Sequence, residues 1–457
     1  MTPLAITDLN REGGIGSNCL LVEAGPFRFV VDAGLHPKLA GPEAAPAFAR
    51  LRGKPLDFAI LTHCHLDHLG AFPLILKAFP ELDVLMSPPS QVLAERMLRN
   101  SCNVMKRQKA EQNIPEYPLF THEDVDIVCR NFEALPFGGQ RTYASQGETI
   151  SVTLHAAGHV AGAGGFEVAY RDRRVLFSGD VLFEPLLTIP GARFPERPDI
   201  DTLVLETTRG EVEPDPEVTR QSETERLLKT IANTHRRGGS TLIPVFALGR
   251  MQEIFTLLND ARKRGELPDC PVFGAGLGID LAGYLDLLSK RSEAVRFSQK
   301  SMKELRLRRP PRSLIPGKDP GEQGIYVLSS GMLVERTPSY AMAACLLPRA
   351  RNAICFVGYC APETPGGQLL ATRPGETFAF EALDYETPVR AQVERFEMSG
   401  HADREELVAF ARQIRPRTIV LTHGDPGARD WFRGQLAAEG EPAPRVVDPV
   451  PLEPISI

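Results

Sequence analysis

Four short apolar runs in this chain end in the same way, with an acidic or imidazole side chain just past the last apolar residue. Phe27-Arg28-Phe29-Val30-Val31 stops at Asp32, and Val175-Leu176-Phe177 leads through Ser178-Gly179 to Asp180. Thr202-Leu203-Val204-Leu205 stops at Glu206, and Thr418-Ile419-Val420-Leu421-Thr422 at His423. Strands that each deliver a polar group at the carboxyl end predict a layered α/β sandwich with a site along one sheet edge.

A fifth run, Phe58-Ala59-Ile60-Leu61, leads into His63-Cys64-His65-Leu66-Asp67-His68. Three imidazoles and a carboxylate within six residues point to metal chemistry, because imidazole nitrogen and carboxylate oxygen suit zinc. Ligands on both sides of a tight turn can serve two neighbouring metals. The alternative is a polar strand-to-helix turn with Asp67 as an N-cap. Cys64 does not share the face of residues 63 and 65 in an extended segment, so it is not expected to ligate. His159 stands among small residues, Ala157-Gly158-His159-Val160-Ala161-Gly162, which let the backbone bring the ring close to a metal. His63, His65, Asp67, His68, His159, Asp180 and His423 make seven donors, enough for two metals sharing one carboxylate.

At 457 residues the chain exceeds what one core normally serves, so two domains are expected. The eight cysteines form no CxxC pair and are expected to be reduced. No apolar run approaches the roughly 20 residues that span a bilayer, and Met1-Thr2-Pro3-Leu4 carries no signal-peptide pattern. A cytoplasmic protein without a membrane partner is the expectation. A net charge of −6 excludes polyanion binding by bulk charge. Lys300, Lys303, Arg306, Arg308, Arg309, Arg312 and Lys318 form a local basic run, equally consistent with a solvated face and a nucleic-acid contact.

Metal-type residues stop at Glu206 and resume at His401, which suggests a second α/β domain inserted into the first. Within it, 221–237 and 249–260 read as helices, and 240–246, 321–333 and 353–359 as strands. The Pro- and Gly-rich stretch 310–323 reads as a loop. The expected organisation is 1–208, an insert at 209–385, and a return segment at 386–457.

The ligand set resembles the metallo-β-lactamase superfamily, with its HxHxDH hallmark, later His, bridging Asp and final His. Further segments resemble its β-CASP branch of nucleic-acid-processing enzymes: Leu119-Phe120-Thr121-His122-Glu123-Asp124-Val125, 243–253 (IPVFALGRMQE), Ser329-Ser330-Gly331-Met332, Phe356-Val357-Gly358-Tyr359 and Ser399-Gly400-His401-Ala402-Asp403. The resemblance implies an αββα sandwich with an inserted β-CASP domain. It implies one zinc on His63, His65 and His159, a second on Asp67, His68 and His423, and Asp180 between them. It further implies that Asp32 orients a ligand imidazole and that His401, held by Glu206, donates a proton to the leaving oxygen. The implied activity is hydrolysis of single-stranded RNA to 5′-phosphate and 3′-hydroxyl ends. A His at the position of His423 goes with RNA-cleaving members, with single-stranded DNA as an alternative substrate and a homodimer as an allowed state. Ser329, Ser330 and Gly331 are candidates for holding a substrate phosphate, the alternative being an ordinary strand-end turn.

Two segments depart from the family pattern. Thr207-Thr208-Arg209-Gly210 replaces the usual STYG, and Glu363-Thr364-Pro365-Gly366-Gly367-Gln368 replaces GTxGR. Both are expected on the inserted domain's substrate side. The chain is also expected to lack the N-terminal KH domains of archaeal relatives. Competing functions are a non-catalytic RNA-processing scaffold, disfavoured by the complete ligand set, and a small-ester metallohydrolase, disfavoured by Glu206 and His401.

Overall fold

Alternation along the strands decides which residues meet. Phe27, Phe29 and Val31 lie two apart and share one face, as do Phe58 and Ile60; they pack in one buried cluster with Ile150, Val152, Leu154, Phe166 and Val168. That cluster is the interior between two seven-stranded sheets in the computed structural model, which describes residues 4–196, 199–437 and 443–457. Met1 to Pro3, the start of the N-terminus expected to lack a signal peptide, fall outside the described residues.

The first sheet runs Pro454–Ser456, Leu4–Asp8, Leu20–Ala24, Phe27–Val31, Phe58–Ile60, Val84–Met86, Phe132–Ala134. The second runs Arg445–Val447, Thr418–Thr422, Thr202–Glu206, Arg173–Phe177, Gly164–Tyr170, Glu148–Ala156, Gln140–Ser145. The outer face of the second sheet, with Leu203, Leu205, Ile419 and Leu421, packs against Leu407, Phe410 and Phe432 of the helices Arg404–Ile414 and Pro426–Ala437. The first of these helices opens on a capping box, Asp403 accepting from the Glu406 N–H while Glu406 accepts from the Asp403 N–H.

Parallel pairing decides where the polar strand ends go. Phe27–Val31 runs parallel to Phe58–Ile60, and Arg173–Phe177, Thr202–Glu206 and Thr418–Thr422 run parallel to one another. Their carboxyl ends therefore line up, and with them Asp32, the hexapeptide, Asp180, Glu206 and His423. This is the layered sandwich with an inserted α/β domain that the resemblance implies.

The chain divides into two compact units. The first comprises Met1–Pro185, Gly191–Pro214 and His401–Ile457, and the second Leu186–Pro190 and Asp215–Gly400. The second unit is built on five parallel strands in the order Val272–Ala275, Ile325–Leu328, Thr241–Pro244, Ala353–Phe356, Gln392–Arg395. Its helices include Arg220–Arg236 and Arg250–Lys263, close to the expected spans. The strand expected over 321–333 is only Ile325–Leu328. Beyond it the backbone turns, and the Ser330 hydroxyl accepts the Val334 N–H at 2.8 Å. The segment Leu186–Pro190 is tied to the buried Glu253, whose carboxylate accepts the Leu187 N–H (2.9 Å), the Thr188 N–H (3.1 Å) and the Thr188 hydroxyl (2.8 Å). Among the described residues no helix is long and apolar enough to cross a membrane.

Candidate metal centre

The hexapeptide leaves the strand Phe58–Ile60 and opens the short helix Leu66–Leu69. Its turn is clamped by the segment after the neighbouring strand, where Ala33 and Leu35 donate N–H groups to the carbonyls of His68 and Leu66. A side chain at Gly34 is impossible there, since its Cβ would lie 1.6 Å from the Asp67 carbonyl oxygen. Asp32 and His423, each the first residue past its strand, adopt left-handed φ angles of 62° and 48°. Such angles cost energy in non-glycine residues and turn the chain sharply at the sheet edge. Gly158, at φ 76°, passes so close to Leu182 that any Cβ would clash, and the next residue is His159.

All seven donors meet. Nε2 of His63 and Nε2 of His159 each lie 3.1 Å from Nδ1 of His65. His68 Nε2 stands 3.7 Å from Asp67 Oδ2, and His423 Nε2 stands 3.3 Å from that same oxygen. Asp180 lies between the two groups, its Oδ2 3.5 to 3.7 Å from His63, His68 and His159 and its Oδ1 3.3 Å from His423 Nδ1. Overlapping triads of these side chains place their ligand atoms within 4.8 Å of one another.

Two further acids and one further imidazole complete the cluster. Asp32 accepts from His68 Nδ1 at 2.7 Å, from the Thr62 N–H at 2.8 Å and from the Thr62 hydroxyl. Glu206 faces His401 Nδ1 at 3.2 Å, while the Val181 N–H (2.6 Å), the Thr208 N–H and the Thr208 hydroxyl occupy the rest of its carboxylate. Glu206 therefore has no oxygen left for a metal, although its position would otherwise allow one. His401 remains 19% exposed, whereas the His63 side chain is fully buried.

The electrostatics follow from this packing. Burial pushes His63 and His65 below the usual imidazole range, favouring the neutral form that ligates. Burial acts the same way on His68 and His401, but nearby carboxylates outweigh it and raise both: Asp180, Asp32 and Asp67 at His68, and Glu206 at His401. The surrounding imidazoles hold Asp67 and Asp180 low against the opposing effect of burial.

These residues fit a metal. Imidazole nitrogens aimed at one another across 3.1 Å need a cation or proton between them, and Asp180 Oδ1 is buried without a hydrogen-bond partner. Cys64 points elsewhere, donating to the Ser90 carbonyl at 3.2 Å with its thiol pushed up to about 12 by burial; all eight cysteines are free.

Three supporting side chains gave no signal in the sequence: Thr62, Thr208 and Asn18. The Thr208 hydroxyl reaches His423 Nδ1 at 2.9 Å, and Asn18 Nδ2 reaches His68 Nε2 at 3.2 Å. Thr207 to Gly210 were expected on the substrate side of the insert. They lie in the first unit, and Thr208 supports the cluster itself. Ser329, Ser330 and Gly331 lie in the second unit at the end of the strand Ile325–Leu328, where the Gly331 Cβ position is 3.1 Å from the Phe246 ring. The side chains of the basic run 300–318 are exposed. Thr121, in a segment carrying the family resemblance, caps the helix His122–Val128 in a capping box with Asp124.

Comparison with known proteins agrees with this geometry. Residues 13–219 match the metallo-β-lactamase superfamily, 251–369 the β-CASP domain, and 386–444 the Zn-dependent metallo-hydrolase RNA specificity domain. The transcription termination factor FttA of Pyrococcus abyssi is 30% identical over 455 residues, covering 93% of this chain and 67% of that protein. An RNase J-like protein of Methanocaldococcus jannaschii is 27% identical, with 90% of each chain covered. Endoribonuclease YSH1 of Candida glabrata is 26% identical over 92% of this chain and 55% of its own length. The chain spans about two thirds of the archaeal termination factors it matches. A solved structure from Enterococcus faecalis V583, of unknown function, shares the fold with a TM-score of 0.53 at 14% identity, covering all of both chains.

Proposed function

Because the chain belongs to the β-CASP branch of the metallo-β-lactamase superfamily, we propose that it is a zinc-dependent ribonuclease cutting single-stranded RNA to 5′-phosphate and 3′-hydroxyl ends. The observation that carries this is the His401–Glu206 pair beside the ligand cluster, which a metal-activated water alone would not require.

His63, His65 and His159 would hold one zinc, Asp67, His68 and His423 a second, with Asp180 serving both. Bound there, zinc supplies an activated water near neutral pH and neutralises phosphate oxygens. The residues do the rest. Asp32 accepts from Nδ1 of His68, which fixes that ring's tautomer and leaves Nε2 free to ligate. Glu206, immobilised by Val181 and Thr208, holds His401 through Nδ1 and favours its protonated form. As the P–O3′ bond breaks, the departing ribose oxygen takes the proton from Nε2 of His401, and the phosphorus keeps the incoming hydroxyl. Ser329, Ser330 and Gly331 remain candidates for a phosphate contact on the second unit. The names of relatives, an RNase J-like protein and an endoribonuclease, support an RNA substrate, as does His423 at its position.

The test is incubation of zinc-loaded protein with 5′- and 3′-labelled single-stranded RNA and DNA, wild type beside His401→Ala. Wild type is expected to cut RNA, and the variant to lose cleavage while keeping its metal. If both leave RNA intact yet hydrolyse a small ester equally well, the proposal fails.

A further inference from the structure

His63, His65 and His159, which would hold the first zinc, come from two segments of the chain, and a third segment touches both. It is Ser87-Pro88-Pro89-Ser90, which follows the strand Val84–Met86 and opens the helix Pro88–Gln112. That strand pairs in parallel with Phe58–Ile60, so its carboxyl end arrives beside the hexapeptide. What it delivers there is a pair of hydroxyls, both fully buried. The two prolines have no N–H to satisfy and fix φ in the first helical turn, while the Ser87 hydroxyl oxygen caps the helix by accepting the Ser90 N–H at 3.2 Å. The turn is therefore stiff.

Capping accounts for the Ser87 oxygen but for neither hydroxyl proton. The Ser87 hydroxyl donates to the Gly162 carbonyl at 2.6 Å, and the Ser90 hydroxyl donates to the same carbonyl at 3.0 Å. Gly162 closes the small-residue run 158–162 that carries His159. At φ 88° its Cβ would lie 2.6 Å from the Ser90 hydroxyl oxygen, so the approach requires glycine. In the opposite direction the Ser90 carbonyl accepts from the thiol of Cys64, the residue between His63 and His65, at 3.2 Å. Ser90 thus holds the His159 loop through its side chain and the hexapeptide through its backbone. The held segments also meet directly, the Thr62 carbonyl accepting the Gly164 N–H at 2.9 Å, so the exit of the His159 loop is fixed at two points.

We propose that Ser90, assisted by Ser87, is a positioning residue for the first zinc: the two hydroxyls and the Ser90 carbonyl set where His159 stands against His63 and His65. The Nε2 atoms of His63 and His159 converge at 3.1 Å on Nδ1 of His65, and a shift of the Gly162 carbonyl would move one of them alone. The inference rests on the ligand assignment given under the proposed function. It also gives Cys64 a use, as a donor that ties a ligand-rich turn to its neighbour. The second zinc, on Asp67, His68 and His423, has no ligand in the loop that the hydroxyls hold.

The test is chelator competition on the full-length protein, together with the visible absorption bands of the cobalt-substituted form, which report coordination geometry. Ser90→Ala leaves the helix cap in place and is expected to weaken one zinc by about 10- to 100-fold, the range for partners that orient ligands from outside, and to shift the cobalt bands. Ser87→Ala/Ser90→Ala should weaken the same ion further. Combined with Asp32→Asn, which is expected to weaken the second zinc, Ser90→Ala should leave neither ion at wild-type affinity; action on the ion already weakened would leave the other untouched and overturn the assignment to the first. Thr121→Ala, which uncaps the helix His122–Val128, is the comparison: it should melt lower with both zinc affinities and the cobalt bands unchanged. A Ser90→Ala protein that behaves like Thr121→Ala would overturn the positioning role and reduce the serine to helix packing. If one zinc weakens as expected but wild type cuts no RNA, the ribonuclease function fails and the positioning role stands. If wild type cuts RNA and Ser90→Ala binds both ions as tightly, the positioning role alone falls.

Discussion

Replacing Asp32 by Asn removes one charge from a buried position without changing its shape. Asp32 accepts from two directions at once, from Nδ1–H of His68 at 2.7 Å and from the Thr62 N–H at 2.8 Å. An asparagine has one acceptor and one donor end. With its oxygen toward Thr62, the amide NH₂ meets His68, whose proton must move to Nε2, and Nε2 then no longer has a lone pair for a metal. With its oxygen toward His68, the NH₂ opposes the Thr62 N–H, and a buried donor pair is left unsatisfied. Either outcome is costly, and orienting partners of ligand imidazoles typically contribute 10- to 100-fold in metal affinity, about 1.4 to 2.7 kcal/mol. Competition with a chromophoric zinc chelator measures this directly, without any substrate. The expected result is one zinc of wild-type affinity and one weakened by that factor. Two zinc ions bound as tightly as in wild type would refute the orienting role of Asp32 and the assignment of His68 as a ligand.

Other perturbations separate the remaining roles. Asp180→Ala should lower zinc content to one ion or fewer per chain by elemental analysis, and a full complement would contradict a shared carboxylate. Glu206→Gln should reduce RNA cleavage by roughly 10²- to 10⁴-fold at unchanged zinc content, since it loosens the proton donor and not the ligands; loss of metal instead would make Glu206 a ligand. Asp8 lies apart from the metal cluster, and burial raises its carboxyl from 3.8 to about 6. Its stabilising contribution is complete below about pH 4 and disappears as pH rises through 6, a change of at most about 3 kcal/mol. Asp8→Asn should therefore melt higher than wild type at pH 7.5 and show little advantage at pH 4, and an equal gain at both would sink the linkage.

The metal centre was legible because its ligands are chemically rare and crowded: a hexapeptide with three imidazoles, then single acids and imidazoles marking strand ends. The parallel pairing of those particular strands within two mixed sheets follows from the same pattern, since apolar runs that each end in a polar residue bring those residues together only when they run in one direction. Thr62 and Thr208 were not legible. Threonine is common, and a hydroxyl that supports a ligand looks in sequence like any strand-end residue. The strand expected over 321–333 came out short because β-branched and aromatic residues cover only its middle, while beyond it the Ser330 carbonyl accepts from the Leu333 N–H, its hydroxyl from the Val334 N–H, and the Ser329 carbonyl from the Ser339 N–H. The long inserted span begins at Asp215 and not at residue 209, so Arg209 and Gly210 stay with Thr207 and Thr208 in the first unit; departure from a family pattern says that a segment differs, not which core it packs against.

Leu186–Pro190 has a consequence for modularity. The chain passes between the two units four times, at 185/186, 190/191, 214/215 and 400/401, where a simple insertion would need two passages. Excising 215–400 would leave the N–H groups of Leu187 and Thr188 without the Glu253 carboxylate that they share. Transplanting that span into another scaffold would bury the Glu253 carboxylate without the three donors it accepts from, leaving only the electrostatic attraction of Arg250 to offset its charge. The insert and its five-residue stirrup are one inheritable piece, and a chimera that respects only the long boundaries would carry a built-in defect at Glu253.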